Sequence, residues 1–150
     1  MNYRKATIED VKQLVELRKK QLIDEGCYAD NNIDEELERY FFAGITDQTL
    51  IVWLATEDEC IIGTAGVCFF QYPPSFSNTS GKVAYITNVY TKNEFRKQGI
   101  ASKLLDFIMA EIKNEGCMFA RLHASSQGKK LYEKMGFSDA EGFMGKRMSL

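Results

Sequence analysis

Several residue types that would mark a site are scarce in this chain. Among 150 residues there is one histidine, His123, two prolines and one tryptophan. A lone imidazole excludes a histidine-rich metal centre. The four cysteines, Cys27, Cys60, Cys68 and Cys117, contain no C-x-x-C pair, so neither a zinc ligand set nor a dithiol redox motif is suggested. No metal is expected. Neither charge is in large excess: 19 Lys and Arg face 21 Asp and Glu, for a net charge of −2 and a pI near 5.5. That balance argues against nucleic acid or an anionic membrane as partner, since both require a basic face. No apolar run approaches the roughly 20 residues of a membrane span. The first residues, Met1 to Thr7, lack the apolar core of a signal peptide, so a cytoplasmic protein with reduced thiols is expected.

What is present suits one folded unit. With 45% hydrophobic and 12% aromatic residues, the chain can build a core at the usual size of one domain, so residues 1–150 are expected to form a single domain. A short strand is expected over 2–6. Thr7 and Asp10 then form a capping-box pattern ahead of a helix carrying Val11, Leu14, Val15 and Leu22. A second helix opens near Asn32, with Asp34, Glu35 and Glu36 in its first turn, and is expected to stop near Gly44. From Leu50 the residues become β-branched and aromatic, predicting an antiparallel hairpin over 50–56 and 61–70 around the polar turn Glu57 to Glu59. Both prolines fall in an exposed loop, 71–82. A strand over 83–91, a helix from Ile100 to about Gly116, a strand over 117–124, a short helix bearing Leu131 and Tyr132, and a last strand over 143–150 complete a mixed α/β pattern. The strand, helix, strand run over 83–124 predicts a right-handed parallel crossover.

The richest segment runs from Asn88 to Ser102, where a strand passes through a basic turn directly into a helix. The first amides of a helix lack intrahelical partners and, with the aligned peptide dipoles, attract anions. Lys92, Arg96, Lys97 and Lys103 face a single acid, Glu94, across this stretch, and Gly99 permits close approach of a ligand. A single glycine excludes G-x-G-x-x-G, and the absence of G-K-[ST] excludes a Walker A loop. The remaining pattern is Arg96-x-x-Gly99-x-Ala101, followed in register by Leu131-Tyr132-x-Lys134-x-Gly136-Phe137.

Together these segments resemble the GNAT superfamily of N-acetyltransferases, whose acyl-CoA motif Gln/Arg-x-x-Gly-x-Gly/Ala lies between a strand and a helix. The resemblance spans essentially the whole chain and implies the acyl-CoA N-acyltransferase fold, a mixed central sheet with a parallel pair formed by its fourth and fifth strands and flanking helices. It implies acetyl-CoA as co-substrate, with the pantetheine arm along the backbone of Val89, Tyr90 and Thr91, and the pyrophosphate beside Arg96 and over the amides of Lys97, Gln98, Gly99, Ile100, Ala101 and Ser102. Ser125 occupies a position where family members often carry asparagine, and is expected to contact the cofactor or to cap the helix. Lys129 and Lys130 are candidates for the 3′-phosphate or for a solvated helix face.

The implied reaction is direct attack of an amine on the thioester, with Tyr132 as general acid or contact for the leaving thiolate. The strand position that often supplies a glutamate base in the family is Asn88, which cannot accept a proton at neutral pH, and this points to a water relay or a base from elsewhere, with His123 a candidate for that base or a hydrogen-bonded structural residue. A lysine-like amine costs roughly 4.6 kcal/mol to deprotonate at pH 7 and an α-amine about 1 kcal/mol, so the missing carboxylate favours an amine of low pKa. A small-molecule acceptor is expected. A protein acceptor, or a non-catalytic CoA-binding module, are the alternatives. A homodimer is implied by the resemblance alone, and Gly99→Val is expected to abolish cofactor affinity without loss of the fold.

Overall fold

Two changes of hydrophobic period along the chain set the layers. The computed structural model describes residues 1–140 and 142–149. Its elements are β1 (Asn2–Lys5), α1 (Val11–Asp24), α2 (Asp34–Asp47), β2 (Leu50–Glu57), β3 (Cys60–Gln71), β4 (Lys82–Thr91), α3 (Ile100–Asn114), β5 (Phe119–Leu122) and α4 (Lys129–Lys134). The strands form one five-stranded sheet in the order β1-β2-β3-β4-β5, antiparallel except for the parallel β4/β5 pair. The crossover between β4 and β5 is α3, as the strand, helix, strand run predicted.

Side chains alternate across a strand, so each face of the sheet collects its own core. On one face α3 lays Ile100, Leu104, Leu105, Ile108 and Ile112 over Ile62, Ala65, Val67, Ala84 and Ile86. Leu104, Leu105 and Ile108 are 0% exposed, and each such side chain contributes about 1.5–3 kcal/mol by leaving water. On the other face Leu14, Val15 and Phe41 of α1 and α2 pack on Leu50, Val52, Leu54 and Ile61. Trp53 stacks on Phe107 at 4.2 Å and donates from Nε1 to Glu111 at 3.1 Å, which ties α3 to β2.

The entry to α1 follows the capping pattern read from Thr7 and Asp10. The Thr7 amide donates to the Asp10 carboxylate at 2.8 Å, and Arg4 of β1 grips the same carboxylate through both terminal nitrogens at 2.8 Å. That guanidinium holds the Asp10 carboxyl below the usual carboxylate range. One local signal thereby fixes both the helix start and its join to the sheet.

Two expectations are corrected. The second helix does not stop at Gly44 but runs to Asp47 and ends with Gln48 at φ 62°. Gly44 is buried inside it, where a Cβ would stand 2.6 Å from the Cβ of Leu50. The glycine is there for helix-to-strand approach rather than termination. Nor is there a final strand: residues 142–149 carry no strand, and Leu150 lies outside the described residues. Gly142 sits at φ 104°, and Phe143 packs its ring 4.3 Å from the guanidinium of Arg121. A strand requires a ladder partner for its backbone groups, and here the segment's leading side chain is drawn to a cation instead.

Gly44→Ala sets two effects against each other. Alanine gains about 1 kcal/mol of helix propensity, while overpacking costs about 1–3 kcal/mol. The clashing atom is Leu50 Cβ, which cannot swing aside, so a net loss of about 1 kcal/mol or more is expected, read as a lower denaturant midpoint. A midpoint at or above that of the parent would refute this account of the glycine.

Candidate functional site

The site begins where two strands part. The β4/β5 ladder pairs Val83 to Ile86 with Phe119 to Leu122 and ends there, while β4 continues along β3 to Thr91. Immediately past the last parallel pair, the register places Asn88 and Val89 opposite Ala65, a β-bulge that bends the strand. Asn88 adopts φ 55°, a left-handed conformation that asparagine tolerates better than most residues. Its carbonyl accepts the Thr64 hydroxyl at 2.6 Å, and the residue is 6% exposed. At the position where a carboxylate base had been sought, the sequence supplies a backbone conformation instead.

Beyond the bulge the alternation decides which backbone groups face the gap. The Lys92 amide donates to Ile62 O at 2.9 Å, so the backbone of Tyr90 also turns toward β3, and Val89 and Thr91 turn toward the side that β5 has left. The carbonyls on that side are taken: Val89 O accepts Gln21 Nε2 at 3.2 Å, and Thr91 O accepts Arg96 Nε at 2.8 Å. Thr91 Oγ1 is buried and has no hydrogen-bond partner among the described residues.

Tyr90 and Arg96, both expected near the cofactor, form a clamp with α1. The Tyr90 hydroxyl donates to Asp24 at 2.7 Å, Arg96 reaches the same carboxylate at 3.5 Å, and the Arg96 guanidinium lies 5.4 Å from the Tyr90 ring. The clamp holds the turn in place. Lys97 (φ 62°) and Gly99 (φ 80°) both take left-handed conformations, which point the first amides of α3 outward. A Cβ on Gly99 would meet nothing within 4 Å. Ile100, Ala101 and Ser102 make up the first turn of α3, whose amides have no intrahelical partners, so this end of the site is an open donor cradle.

On the far side of the gap stands α4. Ser125 closes the turn that leads into it, its Oγ accepting the Gly128 amide at 3.2 Å. Tyr132 is 7% exposed and packs edge-to-face on Phe137 at 6.1 Å. Burial, with the Glu25 carboxylate as a second cause, pushes its phenol up to about 12. Lys129 pairs with Asp139 at 3.7 Å, and Lys130 is exposed.

Tyr132 also lines a cavity of about 1020 Å³ beside β4, β5 and α4. Its walls include Tyr85, Arg121 and His123, together with Phe70, Tyr72 and Phe143. His123 is exposed there, with its ring 6.0 Å from that of Tyr85. The fold therefore brings Tyr132 and His123 into one space, whose lining does not include Asn88. Among the described residues no cluster of His, Cys, Asp or Glu is placed to hold a metal ion, and no helix is long and apolar enough to cross a membrane.

A model of the Acetyltransferase (GNAT) family matches residues 12–137. The chain belongs to that family. Acetyl-CoA is accordingly its co-substrate, and the free amides and open space at Gly99 fit a diphosphate. The chain is 29% identical over 108 residues to glucosamine 6-phosphate N-acetyltransferase of Arabidopsis thaliana, covering 71% of each protein. It is 30% identical over 112 residues to thialysine N-epsilon-acetyltransferase of Sus scrofa, covering 71% of this chain and 63% of that protein. A crystal structure of a predicted acetyltransferase with acetyl-CoA from Clostridium acetobutylicum superposes with a TM-score of 0.94 at 40% identity, covering 97% of this chain and 95% of that one.

Sequence reasoning found both motif segments of this acetyltransferase, and Tyr132 and His123 of the cavity wall, but missed Tyr85, Arg121 and Phe143. Tyr85 and Arg121 are cross-strand partners in the β4/β5 ladder. A signal was available: Arg121 and His123 are two residues apart in a strand, and hence on one face, whereas Ala120 and Leu122 pack with the α3 core on the other. The pairing with Tyr85 and the cover from Tyr72 and Phe143 required the fold.

The phenols of Tyr90 and Tyr132 give a pH prediction. Burial raises both from 10.0 to about 12, so their contribution to stability is complete below pH 10 and is lost as pH rises from 10 toward 12. The unfolding midpoint of the parent should fall over that interval, and less steeply in Tyr132→Phe. Identical alkaline profiles for parent and variant would refute the assigned burial of this phenol.

Proposed function

We propose that this acetyltransferase moves the acetyl group of acetyl-CoA to the primary amine of a small molecule, by direct attack within a ternary complex. The observation that carries the reading is the cavity shared by Tyr132 and His123, a half-open space of the size used for small ligands. The two relatives are named for the amines of glucosamine 6-phosphate and thialysine, which points the same way.

In this reading the pyrophosphate of the co-substrate lies over the amides from Lys97 to Ser102, and the outward N–H groups of Val89 and Thr91 meet the pantetheine arm. Arg96 acts on the cofactor indirectly, by holding the turn through Thr91 O and Asp24. Ser125 closes the turn into α4. Tyr90 serves the clamp rather than the cofactor, since its hydroxyl and its backbone are both committed elsewhere.

The magnitude of the Tyr132 shift refines its role. An ordinary phenol near 10 protonates an alkyl thiolate near 8.5 at a cost of about 2 kcal/mol. With the phenol at about 12, full transfer costs about 5 kcal/mol. Tyr132 therefore acts chiefly as a hydrogen-bond donor that stabilises the departing thiolate, with solvent completing the protonation. The amine must arrive neutral, and His123 at the cavity wall takes its proton directly or through water.

Two measurements test the reading. CoA release over a panel of small primary amines should show turnover, with kcat reduced about 10²-fold in Tyr132→Phe and CoA affinity kept. Binding without turnover for every amine would sink it. For the cradle, φ 80° at Gly99 means that valine would strain the backbone as well as block the ligand, so Gly99→Ala is the cleaner variant. It should weaken CoA binding about tenfold or more while lowering stability by only about 1–2 kcal/mol. Undiminished CoA affinity in Gly99→Ala would displace the diphosphate from this turn.

A further inference from the structure

We infer that Arg121 is the anchor for an oxyanion, a carboxylate or phosphate, carried by the acceptor amine. The inference rests on the small-molecule reading above and narrows it to acceptors that hold an amine and an oxyanion in one molecule.

The guanidinium of Arg121 lies against two aromatic rings, 4.3 Å from the centroid of Phe143 and 5.8 Å from that of Tyr72. Stacking satisfies the flat faces of a guanidinium and leaves its N–H fork, at the edge, available to a planar or tetrahedral oxyanion. Among the described residues Arg121 makes no salt bridge, whereas Lys129, the other Lys or Arg lining the cavity, is paired with Asp139 at 3.7 Å. A half-buried cation held against two rings, in a space that also holds Tyr132, is arranged to receive a charge from a ligand.

The surroundings agree with this assignment. Arg121 sits opposite Tyr85 in the β4/β5 ladder. Burial raises the Tyr85 phenol, and Arg18 of α1 lies near enough to oppose that shift, so a second guanidinium adds positive potential beside Tyr85. The carboxylate of Glu133 also lines the cavity, so an acceptor bearing both signs of charge is better matched than a simple anion. Phe70, Val83 and Phe137 supply apolar wall between these charges, which raises the strength of each electrostatic contact. Both relatives are named for amines that also bear an anionic group, the phosphate of glucosamine 6-phosphate and the carboxylate of thialysine.

The test compares matched amines with and without the anion: glucosamine 6-phosphate against glucosamine, and lysine against cadaverine. Binding to the CoA-loaded enzyme is read by calorimetry and acetylation by CoA release, for the parent, Arg121→Gln and Arg121→Lys. The parent should bind the anionic member of at least one pair about tenfold more tightly or better, and the favoured pair distinguishes phosphate from carboxylate. Arg121→Gln should remove most of that preference through KM with little change in kcat, and Arg121→Lys should restore part of it, which a merely structural role would not do. Equal affinities within both pairs, a preference that survives Arg121→Gln, or no binding of any of the four would overturn the inference. Failure of the functional reading looks different: an Arg121-dependent preference in binding with no acetylation would retain the anchor and reject the acetyl transfer. Acetylation indifferent to the anion would do the reverse.

Discussion

The constraint on which the rest depends is the early end of the parallel ladder between β4 and β5. Four pairs hold them together, from Val83 and Phe119 to Ile86 and Leu122, after which β4 runs on beside β3 alone. An unpaired strand edge inside a protein must find partners for its backbone groups. Here Gln21 and Arg96 take the carbonyls of Val89 and Thr91, while the amides are left for a ligand. The bulge at Asn88 and Val89 turns this edge away from β5, so one backbone irregularity opens the cofactor gap and separates it from the cavity wall.

The positive elements around that gap have different roles despite their similar appearance in the sequence. Arg96 is held by Asp24 and Tyr90 and steadies the turn. Lys97 contributes through a left-handed backbone conformation that aims the amides outward. Arg121 lines the cavity, beside the rings of Phe143 and Tyr72. Tyr132 lines the same cavity, its phenol pushed up to about 12 by burial.

Most of the fold was legible because its signals are local. The capping pattern of Thr7 and Asp10, the change of period at Leu50, and the apolar stripe from Ile100 to Ile112 each depend on neighbours in sequence, and each fell where expected. Gly44 misled because a glycine that stops a helix and a glycine that lets a strand approach look the same until Leu50 is placed against it. The segment after Gly142 misled because its apolar residues suit a strand, while the attraction between Phe143 and Arg121 depends on where β5 ends.

The sequence by itself carried the family's motifs and the basic turn, since a strand, a turn and a helix start are contiguous and their amides are consecutive. The tertiary structure alone assembled the cavity wall. Tyr85, Arg121, Tyr72 and Phe143 come from separate elements, and only the register of β4 against β5 and the course of two loops bring them around one space. It also decided the meaning of Asn88, which in the sequence was a missing base and in the fold is a left-handed bulge residue. The physical reason is the same in both cases: a catalytic contact is a distance between side chains remote in sequence, whereas a helix N-terminus is a property of the chain's own next few residues.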